Sequence, residues 1–165
     1  MIHDIFNKPI LVFGCGNTLL GDDGFGPAVI THLGDHCSLP ETVFAMDVGT
    51  SIRNILFDLI LTPTKPQKIL IIDAVSHPDR KPGDLFEMNV DDFPENKTND
   101  YSLHQFPSVN LLKELKGIAG IEVNILAVQA KTIPEAIEPG LSPEIEASVS
   151  PACEWILKQI GPNHG

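Results

Sequence analysis

Cysteine, positive charge and long apolar runs are all scarce in this chain, and each scarcity removes a class of protein. The three cysteines, Cys15, Cys37 and Cys153, are far apart and odd in number. They make no disulfide framework, and no CxxC pair suggests a zinc knuckle. Each reads as a small buried apolar residue. Lys and Arg number 11 against 22 Asp and Glu, for a formal net charge of −11. No basic cluster offsets that balance, so nucleic-acid binding is not expected. The acidity reads as a contribution to solubility. No stretch approaches the ~18 apolar residues of a membrane span. With no basic N-terminal segment and only a short apolar run, the chain is expected to carry no signal peptide and to work in the cytoplasm.

What is present is ordinary for a globular protein: 165 residues, 42% hydrophobic and 20% charged. That length suits one domain spanning residues 1–165 with a sizeable core. There are no internal repeats and no low-complexity tract.

The most informative stretch runs from Ile10 to Gly26. Ile10-Leu11-Val12-Phe13 reads as a buried strand, broken by Gly14 and Gly16. Asp22 and Asp23 follow, then an apolar stripe of Phe25, Ala28, Val29, Ile30 and Leu33 with helical spacing. Pro27 fits only in that helix's first turn, and Gly34 is expected to end it. A second buried strand, Val43 to Met46, closes at Asp47, and Ser51 is placed to cap a helix over residues 52–61. The most apolar strand, Ile69-Leu70-Ile71-Ile72, is expected to end at Asp73. A shorter strand from Asp84 to Val90 follows without an intervening helix, so that pair is expected to be antiparallel. Residues 91–101 read as an exposed loop, Pro107 to Lys116 as a helix, and Ile121 to Val128 as the last strand. Ser142-Pro143-Glu144 opens a final helix to about Ile160, which Pro151 should kink or divide. The alternation predicts a three-layer α/β/α sandwich around a mixed, mostly parallel sheet of about five strands.

Three kinds of chemistry compete for the opening stretch. Gly14-x-Gly16 after a strand suggests a dinucleotide turn, but Leu19 stands where the third glycine belongs. Asp22 and Asp23 would also repel a pyrophosphate from the helix start, and no phosphate-loop Lys follows. A hydrolytic triad could use Ser102, Cys15 or Thr50 with His104, yet no GxSxG elbow is present. The third candidate is a metal site from Asp23, Asp73 and His104, which a doubly wound sheet can bring to one edge. Two carboxylates and an imidazole with open positions suit a divalent first-row ion. Each has a plainer reading: Asp23 as a helix-start acid, Asp73 as a strand-end acid capping a turn, His104 as a solvated loop residue. His32, His36, His77 and His164 are the alternative histidines, and of these only His77 follows a strand edge. Asp22 reads as a support, such as a helix cap. Asn17 could orient Asp23 or satisfy turn amides.

Four blocks carry a family resemblance. ILVFGCGNTLLGDDGFGPAV, MDVGT, ILIIDAV and SLHQ resemble, in order, the motifs of the hydrogenase maturation endopeptidases: GxGNxLxxD(D/E)GxG, DxGT, a hydrophobic strand ending in Asp-Ala, and SxH before a helix. The likeness extends to GLSPEIEASV in the last helix. It implies an aspartic-type endopeptidase that removes a C-terminal extension from the large-subunit precursor of a nickel–iron hydrogenase after nickel insertion. By the same resemblance the metal-contacting acids fall on Asp23 and Asp73, and the histidine on His104. Nickel would be carried by the substrate as the recognition element, and Gly49-Thr50 would help bind the substrate tail. Some members have Glu where this chain has Asp23, which is shorter by one methylene. The opening block and MDVGTSIRNILFDLI are most similar to the branch serving deazaflavin-coenzyme-reducing hydrogenases of methanogens. A monomer is expected. The rival readings are a non-catalytic chaperone of the nickel-loaded large subunit and an unrelated metal-dependent hydrolase.

Overall fold

In the computed structural model, residues 7–77, 79–92 and 109–161 are described. Strand β1, Ile10–Cys15, is buried along its whole length, as an apolar run in the middle of a parallel sheet must be. A 3-10 turn, Gly21–Gly24, leads into α1, Phe25–His36. Then come β2 (Val43–Gly49), α2 (Ile52–Leu61) and β3 (Lys68–Val75). The short β4 (Leu85–Met88) precedes α3 (Val109–Ala119) and β5 (Glu122–Gln129). One turn of helix, α4 (Pro143–Glu146), and α5 (Val149–Ile160) complete the order.

The sheet order is β2-β1-β3-β5-β4. β2, β1, β3 and β5 run parallel, while β4 is antiparallel to β5. The expected mixed five-stranded sheet is therefore present, with one topological difference. β4 does not pair with β3, the strand it follows. β5 enters between them, because its own apolar run needs a partner on both sides and the short β4 needs only one. On one face α2 and α3 pack Leu56, Leu59, Leu112 and Leu115 onto Phe13, Ile69 and Ile71. On the other, α1 and α5 pack Phe25, Val29, Leu33, Ala152 and Ile156 onto Val12, Leu70 and Ile72. Ile69, Leu70, Ile71 and Ile72 are wholly inside. Each contributes about 1.5–3 kcal/mol by burial, enough together for this strand to carry a buried acid.

Other boundaries differ from expectation for local reasons. β2 is an edge strand, so only Val43 and Val48 are fully inside and Asp47 is exposed. Asp73 lies within β3 rather than at its end. The ladder to β5 continues through Ala74 and Val75, paired with Val128 and Gln129. Gly34 does not end α1. It stays helical on the exposed side, and the chain leaves at Cys37, whose N–H donates to the Leu33 carbonyl. Ser51 precedes α2 without a side-chain cap. The last helix divides at Ala147–Ser148, as Pro151 requires. Proline has no N–H for the Ala147 carbonyl, and its ring crowds that group. The expected start of α3 at Pro107 and most of the 91–101 loop lie outside the described residues.

Among the described residues no helix is long and apolar enough to cross a membrane.

Candidate active site

The strand order reverses between β1 and β3, since β1 leads on to β2 on one side and β3 to β5 on the other. Open α/β sheets leave a crevice at that point, outside the carboxyl ends of the strands. Asp23 is delivered there by the turn after β1, which packs over β3, and Asp73 by β3 itself.

Three glycines bring the turn close. A Cβ on Gly26 would lie 2.3 Å from the Cys15 carbonyl oxygen and 2.7 Å from that of Ile72. Only a hydrogen there lets the first turn of α1 rest on the backbones of β1 and β3. A Cβ on Gly14 would meet the Gly26 carbonyl at 2.5 Å. Gly16 has φ +144, in the region that favours glycine, and a Cβ there would overlap the Asp23 carbonyl. The glycines that suggested a nucleotide turn thus serve contact between turn, helix and strand.

Hydrogen bonds then fix the turn. The Asn17 N–H donates to Asp23 Oδ2 at 2.9 Å, and the Leu19 N–H donates to Asn17 Oδ1 at 2.9 Å. Asn17 therefore does both things its position suggested, through its backbone for the acid and its side chain for the turn. The Gly16 N–H reaches the Gly49 carbonyl at 2.9 Å, tying the turn to the end of β2.

Asp23 and Asp73 are both almost completely buried. Burial first, and then the charge of Asp23, push the Asp73 carboxyl well above its usual range, against an opposing pull from the Ala74 N–H. That N–H donates to Asp73 Oδ1 at 2.8 Å. Two buried carboxylates that feel one another's charge can hold a shared proton or grip a cation. Cys15 is buried beside them. Its thiol is pushed well up by burial and then by Asp73, Asp47 and Asp23, so it stays protonated and makes a poor nucleophile.

His104 and Ser102 lie outside the described residues. Among the described residues no group of three or more His, Cys, Asp or Glu is arranged to hold a metal ion. His77, the alternative histidine that follows a strand edge, sits edge-on to Phe86 at 6.3 Å, and its Nδ1 accepts the Asp79 N–H at 3.3 Å.

Asp22 has a different role from the helix cap expected of it. It makes no cap bond in its own turn. Oδ2 instead accepts the N–H groups of Lys131 and Thr132, both at 2.9 Å, and the Ser142 hydroxyl at 3.0 Å. Oδ1 accepts the Ser142 N–H at 2.6 Å. One buried carboxylate thus holds both ends of the segment between β5 and α4. Leu20 forms a parallel bridge with Glu138 in the same segment. The doublet Asp22-Asp23 was the only signal in the sequence, because these partners lie more than a hundred residues away.

Comparison with known proteins follows the same lines. A family model described as hydrogenase maturation protease matches residues 27–159. A Methanocaldococcus jannaschii protein assigned as a hydrogenase maturation protease is 39% identical over 155 residues, covering 93% of this chain and 97% of its own. The coenzyme F420 hydrogenase subunit delta of Methanothermobacter thermautotrophicus is 32% identical, over 94% of this chain and 97% of its own. Among solved structures, the hydrogenase maturating endopeptidase HybD of Escherichia coli superposes with a TM-score of 0.70 at 30% identity, covering 93% of this chain and 92% of that one.

Proposed function

This chain belongs to the hydrogenase maturation protease family, and from that premise we propose that it cuts a C-terminal extension from the nickel-loaded large-subunit precursor of a nickel–iron hydrogenase, using Asp23, Asp73 and His104. The observation that carries the reading is the pair of buried carboxylates at the reversal point of the sheet. A carboxyl held as far up as Asp73 is poorly placed to stay charged alone. A divalent ion brought in by the substrate relieves the repulsion with Asp23. Oxygen donors together with one imidazole are acceptable to nickel, so the site can recognise a precursor by the metal it carries.

The hydrolytic step falls to the same pair. A water attacks the scissile carbonyl and loses its proton to a carboxylate. That proton returns to the departing amine, leaving a new carboxyl end and a free amino end. Gly49-Thr50, at the carboxyl end of β2, is positioned to guide the extended tail. Two observations support a methanogen deazaflavin branch: the Methanothermobacter and Methanocaldococcus relatives, and the close fit of the opening block. Action as a monomer in the cytoplasm completes the reading.

The test is to incubate the protein with purified nickel-loaded precursor and follow its mass. Loss of a C-terminal peptide is expected. Asp23→Asn, Asp73→Asn and His104→Ala should each slow it by roughly 10²–10⁴-fold. Wild-type rates in those variants would overturn the residue assignment. Binding without cleavage would turn the reading toward a chaperone, and equal cutting of nickel-free precursor would remove the role of nickel.

A further inference from the structure

On α1, away from the acids, two histidines stand one helical turn apart. His32 is half-buried and His36 exposed, and their rings lie with centroids 4.2 Å apart at an interplanar angle of 37°. Residues four apart on a helix share a face, the spacing by which paired imidazoles on one helix hold a metal ion. With metal–nitrogen bonds of about 2.0–2.1 Å, two rings meeting one ion at a right angle have centroids about 4–5 Å apart. The pair therefore stands near the separation a shared ion needs.

The surroundings favour a cation. Both rings line a groove of about 430 Å³ that also includes Asp35, Asp47 and Glu146, and among the described residues no Lys or Arg lines it. The turn that carries Asp23 also lines it, through Gly21 and Gly24. The acidic chain as a whole draws cations toward it.

We propose that His32 and His36 form a second metal site, a two-imidazole chelate for a divalent ion of the nickel–zinc class. Imidazole nitrogen suits these ions. With only two protein ligands in place, water fills the remaining positions, so the ion is taken up reversibly. The acids of the groove act at longer range, holding cations near the rings. This site is separate from Asp23 and Asp73 and stands whether or not those residues cut a precursor.

The experiment is a calorimetric titration of the full chain with Ni²⁺, repeated with Zn²⁺. It compares wild type, His36→Gln, His32→Ala/His36→Ala and Asp23→Asn/Asp73→Asn. A site is expected that survives in the variant lacking the acids, weakens at least ~10-fold in His36→Gln and disappears in the double histidine variant. Because His36 is exposed, its replacement leaves the fold intact, so the single variant decides if the double variant melts early. Paramagnetic Ni²⁺ should also broaden the imidazole resonances of His32 and His36 before other signals. Three results would overturn the site: no uptake by wild type, an isotherm unchanged by the histidine substitutions, or uptake lost only with Asp23 and Asp73.

Discussion

Two adjacent acids, Asp22 and Asp23, should respond oppositely to the same substitution. Asp22 accepts four hydrogen bonds from the segment between β5 and α4 while fully buried. A bond to a charged acceptor contributes about 1.5–3 kcal/mol. The four share one carboxylate and are not independent, and removing the charge also removes the cost of burying it. Breaking such a buried arrangement on one side typically costs about 3–5 kcal/mol. Asp22→Asn cannot repair the loss, since an amide NH₂ must then face either the Ser142 N–H or the donors of Lys131 and Thr132. For a chain of this size the drop in melting temperature is roughly 6–20 °C. Asp23→Asn should melt near wild type, because the Asn17 N–H can still donate to an amide oxygen. The assay pairs differential scanning calorimetry with precursor cleavage at a temperature where both variants are folded. Asp22→Asn should cleave within about tenfold of wild type and Asp23→Asn at least ~10²-fold more slowly. If Asp22→Asn melted with wild type yet abolished cleavage, the division of labour between the two acids would be wrong.

Asp73→Asn should stabilise the fold at neutral pH. Burial raises the carboxyl of Asp73 above its unfolded value of 3.8, so the folded state holds its proton longer. The stability this contributes is complete below that value and lost as pH rises through the higher folded pKa. The melting-temperature advantage of Asn should therefore grow with pH above about 4, and a constant difference would contradict the shift. Gly26→Ala should destabilise by about 3 kcal/mol or more, since backbone rather than a movable side chain blocks the new methyl. Gly34→Ala, with nothing within 4 Å, should stabilise α1 by about 0.5–1 kcal/mol; urea midpoints of the two variants check both signs. Under native conditions a thiol reagent should label Cys37 first. Cys15 and Cys153 are buried, and the Cys153 thiol is pushed up to about 11 chiefly by burial. Mass spectrometry showing rapid labelling of Cys15 would reopen it as a nucleophile.

Most of the secondary structure was legible because burial writes itself into periodicity. Ile69 to Ile72 reads as a central strand, and the stripe of Ile52, Leu56 and Leu59 gives the bounds of α2. Asp23 and Asp73 were legible as site candidates because each comes after a run of apolar residues, a local property, although β3 itself runs on past Asp73 to Val75. What failed was non-local. Nothing near Asp84 to Val90 says that β5 will take the place beside β3. The edge position of β2 depends on which strands flank it, so an apolar run read as buried came out half-exposed. Gly34 looked like a terminator because the residue type favours that role, but α1 had no need to turn there. Asp22 is the support expected of it but not a helix cap, because its partners, Lys131, Thr132 and Ser142, come from the far end of the chain.

The place of β5 has a consequence for synthesis. β3 emerges from the ribosome with β1 ready on one flank, but its other flank is reserved for a strand not yet made. At roughly 5–20 residues per second, the interval between Val75 and Gln129 lasts several seconds. Throughout it, Ile69-Leu70-Ile71-Ile72 presents an open backbone edge on a segment without charge or proline, the composition most prone to intermolecular pairing. β4 is made in the meantime and has nothing to dock against. The wall of the crevice that holds Asp73 is therefore among the last parts to close, and a nascent chain has no competent cutting site until nearly all of it has been translated.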